Sequence, residues 1–333
     1  MRLIEKLITD QHYKKLTWGR IFIPLSYLFF ILLSLRKFFY KLHIFKSSKI
    51  TVPVIVIGNI TLGGTGKTPL VISLAKDFKK RKLDVGIIAR GYKSKFSHAR
   101  EVLKSSDYRD VGDEPLLLKQ KLDCPVYVGI NRLLSAKKLL NDYPNIDLII
   151  SDDGLQHYAL SRDFEILVVD GMRNFGNQFL LPTGPLREPI KRLKHIDAVI
   201  INRPSFSSKK IENSFKAKKL DENILLSLHG KKNLKFINLK DNEVIAMTGI
   251  GNPESFFNTL KSKNITFEKR IFSDHYEFKQ KDFDGYMDKN IIMTEKDALK
   301  CIKIKHNKIW VLPLTLSIET AMINKILQKV GLS

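Results

Sequence analysis

Residues 52–68 decide the fold, and they read Val-Pro-Val-Ile-Val-Ile-Gly-Asn-Ile-Thr-Leu-Gly-Gly-Thr-Gly-Lys-Thr. The run 54–57 consists of β-branched apolar residues, which is typical of a strand buried on both faces. From Lys67 onward the apolar residues have helical spacing, as in Leu70, Val71 and Leu74. The stretch therefore predicts a strand, a glycine-rich loop and a helix, in that order.

The glycine-rich loop has the context of a phosphate-binding P-loop. Glycines let backbone N–H groups point inward around a phosphate, and the helix presents its positive end to the same group. We expect Lys67 to reach the β- and γ-phosphates of a nucleotide and the Thr68 hydroxyl to bind Mg²⁺. The alternative is a glycine-rich turn that caps an ordinary helix. The predicted nucleotide-binding residues are Thr61, Leu62, Gly63, Gly64, Thr65, Gly66, Lys67 and Thr68, with Thr61 where the common pattern has glycine.

The composition is that of a folded protein with a strong basic excess. The chain has 333 residues, of which 44% are hydrophobic and 27% charged, enough for one large domain or two smaller ones. Its formal net charge of +23 favours an anionic partner, which could be nucleic acid, an anionic membrane or a phosphorylated substrate. Its two cysteines, Cys124 and Cys301, indicate neither a disulfide framework nor a cysteine metal site, in keeping with a reducing cytoplasm.

An uncharged segment lies near the N-terminus at residues 21–35, and Arg36 and Lys37 follow it. The segment is shorter than the ~20 residues that span a bilayer comfortably. Aromatic side chains interleaved with basic ones continue to Lys46, a pattern typical of a helix in the membrane interface. The segment therefore predicts membrane association; a buried core helix with a basic end and a single membrane span are the alternatives.

Short apolar strands then alternate with helical stretches, which predicts an α/β fold of the P-loop NTPase type with a mostly parallel sheet. The predicted strands are 52–57, 85–89, 126–129, 147–151, 165–169 and 197–201. A second, smaller α/β unit is predicted from strands at 244–248, 266–272, 290–293 and 308–312. We expect a membrane-associated segment at 1–50, a P-loop domain at 51–205 and a C-terminal domain at 206–333 that packs across the first and leaves a cleft.

Two carboxylates follow the strand 147–151. Asp152 and Asp153 occupy the place of the acidic residue that holds Mg²⁺ in P-loop enzymes, and Gln156 could add a ligand or place a water molecule. A plain Asp-Asp-Gly turn is the alternative. Beside a P-loop, the metal interpretation is the better one for at least one of the two aspartates.

Four further residues have the right chemistry for phosphoryl transfer, but their sequence context alone is weak. A kinase that acts on an alcohol needs a carboxylate or an imidazole near the attacking oxygen, and Asp113 and His275 are of these types. The sequence does not pair them, since 162 positions separate them. Arg132 and Arg187 are candidates for phosphate contacts because guanidinium binds phosphate bidentately, although a lone arginine is more often a surface residue.

Short motifs at seven places follow one another along the chain: 58–69, 90–92 (Arg-Gly-Tyr), 111–115, 151–157, 181–188, 273–278 and 294–300. Taken together, these motifs resemble the tetraacyldisaccharide 4′-kinase family of lipid A synthesis over nearly the whole chain. The family's loop is similar to Thr-x-Gly-Gly-x-Gly-Lys-Thr, so Thr61 is expected there, while Leu155 stands where phenylalanine is more usual.

The resemblance implies transfer of the ATP γ-phosphate to the 4′-hydroxyl of a tetraacyldisaccharide 1-phosphate, which gives lipid IV(A). It also implies a location on the cytoplasmic face of the inner membrane of a Gram-negative bacterium, with the N-terminal helix dipping into the bilayer. The family's catalytic pair maps to Asp113 and His275, and Arg132 and Arg187 fall at positions that fit phosphate contacts. Its Mg²⁺ site maps to Thr68, Asp152, Asp153, Gln156 and Glu188.

Two rival interpretations remain at this stage. One is a soluble P-loop ATPase or small-molecule kinase whose N-terminal segment belongs to the core. The other is a nucleic-acid-binding protein, motivated by the basic excess, but the sequence holds no recognition motif of that class. We therefore expect a glycolipid substrate and a membrane surface as partners, and no nucleic acid.

Overall fold

A computed structural model describes residues 12–13, 18–91, 98–203, 211–220, 223–230, 233–239 and 244–332. Tyr92, the last residue of the Arg-Gly-Tyr motif, lies outside the described residues, as does most of the N-terminal stretch before Trp18.

The strands, numbered along the chain, are β1 Val54–Gly58, β2 Val85–Ala89, β3 Arg100–Glu101, β4 Val126–Val128, β5 Leu148–Asp152, β6 Phe164–Asp170, β7 Ala198–Asn202, β8 Ser214–Lys219, β9 Ile224–Ser227, β10 Asn233–Lys235, β11 Val244–Thr248, β12 Glu268–Ile271, β13 Asn290–Thr294, β14 Ile309–Leu312 and β15 Leu316–Ile318. The α-helices are α1 Ile23–Lys41, α2 Lys67–Lys80, α3 Tyr108–Val111, α4 Asp113–Lys121, α5 Arg132–Asp142, α6 Pro253–Ser262, α7 Glu295–Ala298 and α8 Thr320–Val330. Short 3₁₀ helices lie at Trp18–Phe22, Ile190–His195, Phe236–Asn238, Gln280–Asp282, Asp284–Tyr286 and Leu299–Cys301.

Nine strands of the described residues form one sheet, in the order β15-β8-β7-β6-β1-β5-β2-β4-β3. Strand β1 lies near its middle and pairs in parallel with β5 and β6. All its residues are buried because one face packs against α2, α4 and α8 and the other against α5 and neighbouring loops. This sheet with its covering layers is called the first lobe, and it confirms the predicted P-loop-type α/β fold.

The register of β1 and β5 brings the predicted metal site to the phosphate loop. Ile57 pairs with Asp152, so β5 ends beside the loop that follows β1. On the other side of β1 within the same sheet, Asp170 pairs with Asn202 at the ends of β6 and β7. The carboxyl ends of the strands therefore meet at one edge, where ligands bind in sheets of this kind.

Six strands of the described residues form a second sheet, in the order β10-β9-β14-β13-β11-β12. Four of them, β14, β13, β11 and β12, run parallel, and a core that includes Phe256, Phe257 and Leu260 of α6 packs against this sheet. This sheet with α6 and α7 is called the second lobe. It corresponds to the second α/β unit expected from the sequence.

Part of the chain beyond residue 206 adds to the first lobe. Strand β8 pairs in parallel with β7, β15 pairs antiparallel with β8, and α8 packs into the same core as α2. The sequence did not indicate β8, because its residues, Ser-Phe-Lys-Ala-Lys-Lys, form a lysine-rich edge strand without an apolar run. The strands on either side of the predicted boundary between residues 205 and 206, β7 and β8, therefore belong to the same sheet. The division of the chain into separate domains at this boundary stays a prediction.

Helix α1 lies on the surface of the first lobe. By length and composition, the segment Gly19–Lys41 is apolar enough to cross a membrane, and only 6% of it is buried. The buried residue of α1 is Ser26, whose Oγ donates to Leu180 O at 2.9 Å and contacts Thr183 Oγ1 at 2.8 Å. The alternative of a buried core helix is therefore wrong.

Candidate active site

The phosphate loop connects β1 to α2 and is held in shape by Asn59. The Asn59 Nδ2 group donates to Thr61 O at 2.7 Å and to Gly63 O at 3.3 Å. Its Oδ1 accepts a hydrogen bond from Lys67 Nζ at 3.1 Å. A single buried amide therefore fixes both the loop backbone and the lysine, a role that sequence reasoning did not assign to it.

Gly66 ends the loop in a backbone conformation that requires glycine. Its φ is +91°, in the left-handed region, at the N-cap of α2. A Cβ atom there would lie 2.2 Å from Asn202 Nδ2, which donates to Thr65 O at 3.0 Å. The end of β7 thus packs directly against the loop.

We expect Gly66→Ala to lower the free energy of unfolding by about 1–3 kcal/mol, because the alanine must hold a left-handed backbone and displace Asn202. Gly64→Ala is the matched control, since no described atom lies within 4 Å of a Cβ at that position. Thermal unfolding without nucleotide measures both variants. Equal losses of stability would contradict the strain argument.

The two aspartates after β5 differ in their surroundings. Asp152 is 2% exposed, its Oδ1 atom has no hydrogen-bond partner among the described residues, and burial raises its pKa to about 7. Asp153 lies 3.4 Å from Lys67 Nζ and 3.6 Å from Arg187 Nη1. Burial alone would raise the pKa of Asp153, but these two cations lower it. A buried carboxylate oxygen without a partner beside the phosphate loop suits a bound cation.

Arg132 lies behind this acidic pair at the start of α5. Its side chain is almost fully buried, with Nη1 donating to Gly129 O at 2.7 Å and Nη2 to Asp152 O at 3.5 Å. Burial lowers its pKa to about 10, so the guanidinium stays charged at neutral pH. The contact of Arg132 with a phosphate stays a prediction.

Gln156 and Glu188 contact each other and helix α1. Gln156 Nε2 donates to Glu188 Oε1 at 3.0 Å and to Asn59 O at 3.2 Å. The other Glu188 oxygen accepts from Tyr158 OH at 2.7 Å and pairs with Lys37 Nζ of α1 at 2.7 Å. In this arrangement the carboxylate of Glu188 is occupied by protein donors, and the metal-binding roles of Gln156 and Glu188 stay predictions.

The segment 180–188 lies between α1 and the phosphate loop. The Pro185 carbonyl accepts from Leu62 N at 2.8 Å, and Arg187 N donates to Ile60 O at 2.7 Å. The same segment accepts the Ser26 hydrogen bond from α1. This attachment on both sides carries Arg187 and Glu188 to the edge of the site.

Asp113 and His275 meet across the two lobes. Asp113 Oδ2 lies 2.9 Å from His275 Nδ1, and Asp113 is only 4% exposed at the first residue of α4. Burial alone would raise the pKa of Asp113, but His275 and the ammonium groups of Lys296 and Lys300 lower it to about 2. Because an ionised carboxylate can only accept, Nδ1 of the imidazole carries the hydrogen in this bond.

Comparison with known proteins shows the family of the chain. The family described as tetraacyldisaccharide-1-P 4′-kinase (LpxK) matches residues 18–331. The chain belongs to this family. The tetraacyldisaccharide 4′-kinase of Methylobacillus flagellatus is 43% identical over 319 residues, covering 96% of this chain and 94% of that one. The enzyme of the same name from Legionella pneumophila strain Corby is 41% identical over 295 residues, 88% of each chain.

A solved structure shares the fold of this kinase family member. The crystal structure of LpxK from Aquifex aeolicus in complex with ATP superposes with a TM-score of 0.81 at 29% identity. The match covers 94% of this chain and 100% of that one. The protein is therefore a kinase with an ATP site, and it shares its fold with this solved member of the family.

In the structure of this kinase, the predicted site residues lie in two neighbouring groups. Lys67, Asp153 and Arg187 form ion pairs at the phosphate loop, with Asp152 and Arg132 beside them. Asp113 and His275 form the second group, and Glu114, next to Asp113, helps raise the pKa of Asp152. Sequence reasoning missed the contacts of four residues, namely Asn59, Asn202, Lys296 and Lys300. Asn59 lies in the stretch 52–68, and the two lysines lie in the segment 294–300. Nothing in the local sequence indicated which residues they contact.

Proposed function

We propose that this kinase transfers the γ-phosphate of ATP to the 4′-hydroxyl of a tetraacyldisaccharide 1-phosphate, giving lipid IV(A) in lipid A biosynthesis. The observation that carries the proposal is the 2.9 Å contact between Asp113 and His275, which joins the P-loop lobe to the second lobe. Family membership supplies the substrate class, and the phosphate loop supplies the nucleotide site.

The phosphate loop would bind the ATP phosphates through the backbone N–H groups of residues 63–68 and the start of α2. Lys67 is already positioned by Asn59 and Asp153, so little side-chain entropy is lost when it meets a phosphate. Arg187, 32% exposed and paired with Asp153, is placed to contact a phosphate oxygen.

The residues at the loop fit a Mg²⁺ ion. Thr68, Asp152 and Asp153 would hold it, because Mg²⁺ takes one or two carboxylates together with substrate phosphates. The unpartnered Asp152 oxygen supports this assignment. When bound, Mg²⁺ supplies charge neutralisation on the phosphates.

The Asp113–His275 pair would act on the attacking hydroxyl. Phosphoryl transfer requires positioning and charge neutralisation more than covalent chemistry, so orientation of the hydroxyl is the main task. Asp113 fixes the imidazole through the Nδ1–H hydrogen bond, and the pair as a unit accepts the hydroxyl proton. The ionised state of Asp113 stabilises the resulting imidazolium.

The exposed apolar helix α1 supports attachment to the cytoplasmic face of the inner membrane. Its apolar side chains face solvent, and Arg36 and Lys37 lie at its C-terminal part. Basic groups near an anionic leaflet contribute about 1 kcal/mol each, and the net charge of +23 adds to that attraction. Acyl chains could then remain in lipid while the sugar headgroup enters the site.

We expect the double variant Leu28→Glu with Leu32→Glu to reduce binding to vesicles by about tenfold or more, because two side chains worth roughly 1.5–3 kcal/mol each no longer enter the lipid. Both leucines are at least half exposed. The matched control, Leu103→Glu with Leu134→Glu, changes two equally exposed leucines elsewhere on the first lobe. Flotation with phosphatidylethanolamine and phosphatidylglycerol vesicles measures binding; equal losses in both variants would contradict attachment through α1.

The activity is tested with γ-labelled ATP, Mg²⁺ and the disaccharide 1-phosphate in detergent, followed by thin-layer separation. We expect the label in a product that carries one more phosphate than the substrate. Release of labelled inorganic phosphate without labelled lipid would instead support the P-loop ATPase interpretation.

A further inference from the structure

Lys296 of α7 contacts three carboxylates, and no role above uses it. Its Nζ atom lies 3.2 Å from Glu114 Oε1, 3.5 Å from Asp274 Oδ1 and 3.7 Å from Asp113 Oδ2. The side chain is 16% exposed. Burial alone would lower the pKa of Lys296, but these carboxylates raise it above its ordinary value, so the ammonium stays charged.

The three carboxylates belong to both lobes. Asp113 and Glu114 begin α4 of the first lobe, whereas Asp274 precedes His275 in the second. The Oδ1 atom of Asp274 accepts the His275 backbone N–H at 3.0 Å, and the same oxygen faces Lys296. Lys296 therefore contacts Asp113 directly and supports the turn that carries His275. The φ of His275 is +58°, which is unusual for a residue other than glycine.

Helix α7 is itself fixed to the second sheet. Asp297 Oδ2 accepts hydrogen bonds from Thr248 Oγ1 at 2.8 Å, Gly249 N at 3.0 Å and Thr294 Oγ1 at 2.9 Å. Asp297 also pairs with Lys300 at 3.0 Å, and Lys300 lies 4.0 Å from Asp113. Lys296 thus extends toward the first lobe from a firmly held helix.

We propose that Lys296 is a positioning residue that holds Asp113 and His275 in contact when the two lobes are together. This inference rests on the proposed roles of Asp113 and His275. Without the ammonium, the carboxylates of Glu114, Asp274 and the buried Asp113 would lose the cation that lies among them, and their repulsion would separate α4 from the turn 273–275.

The test compares Lys296→Met and Lys296→Arg with Lys303→Met, which removes an exposed lysine from the same region of the second lobe. We expect Lys296→Met to lower kcat by about 10- to 100-fold, with the KM for ATP within about threefold, since positioning of the pair affects the chemical step. Lys296→Arg keeps the charge, and we expect it to recover most of kcat. Lys303→Met should match the wild type.

The pH profile separates positioning from a purely structural role. The side chains that face Asp113 are the imidazole of His275 and the ammonium groups of Lys296 and Lys300. Loss of the Lys296 cation makes proton uptake by Asp113 easier, so the acidic limb of kcat/KM should move to higher pH in Lys296→Met and remain in place in Lys303→Met.

Asp113→Asn, measured alongside, distinguishes the two proposals. If Lys296→Met keeps kcat within about threefold of wild type while Asp113→Asn is severely impaired, the inference on Lys296 is wrong and the roles of Asp113 and His275 stand. If Asp113→Asn itself keeps its activity, the roles proposed for the pair are wrong. If the methionine and arginine variants are equally slow, equally destabilised and unshifted in pH profile, Lys296 is only structural and the inference is overturned.

Discussion

Replacing Asp113 with asparagine is expected to lower kcat by about 10²- to 10⁴-fold, the range found for loss of a general acid or base. The asparagine amide carries no negative charge, so it neither stabilises the imidazolium that forms when the pair accepts the hydroxyl proton nor holds the imidazole through an ionised acceptor. ATP affinity should change by less than about threefold, because Asp113 lies outside the phosphate loop.

Steady-state turnover of the glycolipid and binding of a fluorescent ATP analogue measure the two quantities separately. Asp110→Asn is the matched control: it removes a carboxylate from the adjacent α3, and Asp110 forms none of the hydrogen bonds or ion pairs that reach His275. Near-normal turnover of Asp113→Asn would refute the assignment. Thermal unfolding should accompany the assay, since the variant removes a carboxylate that lies 3.7 Å from Lys296 Nζ and 4.0 Å from Lys300 Nζ.

Replacing Lys67 with methionine is expected to lower kcat/KM by about 10²- to 10³-fold, comparable to loss of one preorganised donor to a developing negative charge. The ammonium is held between Asn59 Oδ1 and Asp153 Oδ1, at 3.1 and 3.4 Å, so it meets the phosphates without reorganisation. Its removal also leaves Asp153 near Asp152 with the guanidinium groups of Arg187 and Arg132 as the remaining compensating cations.

Lys76→Met provides the control, because Lys76 lies on the same helix α2 with an exposed side chain. Glycolipid turnover and nucleotide binding should both respond to Lys67→Met and neither to Lys76→Met. A fall of less than about tenfold in kcat/KM for Lys67→Met would show that its contact with Asp153 is structural only.

The contacts of α1 connect this apolar surface helix to the nucleotide site. Lys37 pairs with Glu188, Ser26 bonds to the segment 180–188, and that segment in turn bonds to the phosphate loop at Leu62. Segment 180–188 therefore connects α1 to the phosphate loop through hydrogen bonds on both sides.

Much of the fold could be predicted from the sequence because its signals are local. The apolar run 54–57, the glycines at 63, 64 and 66 and the helical spacing after Lys67 each act within a few residues, and the structure has a strand, loop and helix there. The alternation of strands and helices likewise predicted the parallel sheet. Strand β8 was missed because its lysine-rich sequence has no apolar run, and its place is decided by β7 and β15 alongside it.

The sequence by itself determined the chemical types in the site: a lysine and a threonine at a phosphate loop, a pair of aspartates after a buried strand, and a carboxylate and an imidazole elsewhere. Only the tertiary structure decided that Asp113 meets His275, that Lys296 lies between their supports, and that Glu188 pairs with Lys37 of α1. The Asp113–His275 and Glu188–Lys37 contacts join residues more than 100 positions apart, and they depend on how two sheets and a surface helix pack. No local periodicity or propensity encodes that packing, because its free energy arises from surfaces that meet only once the chain has folded.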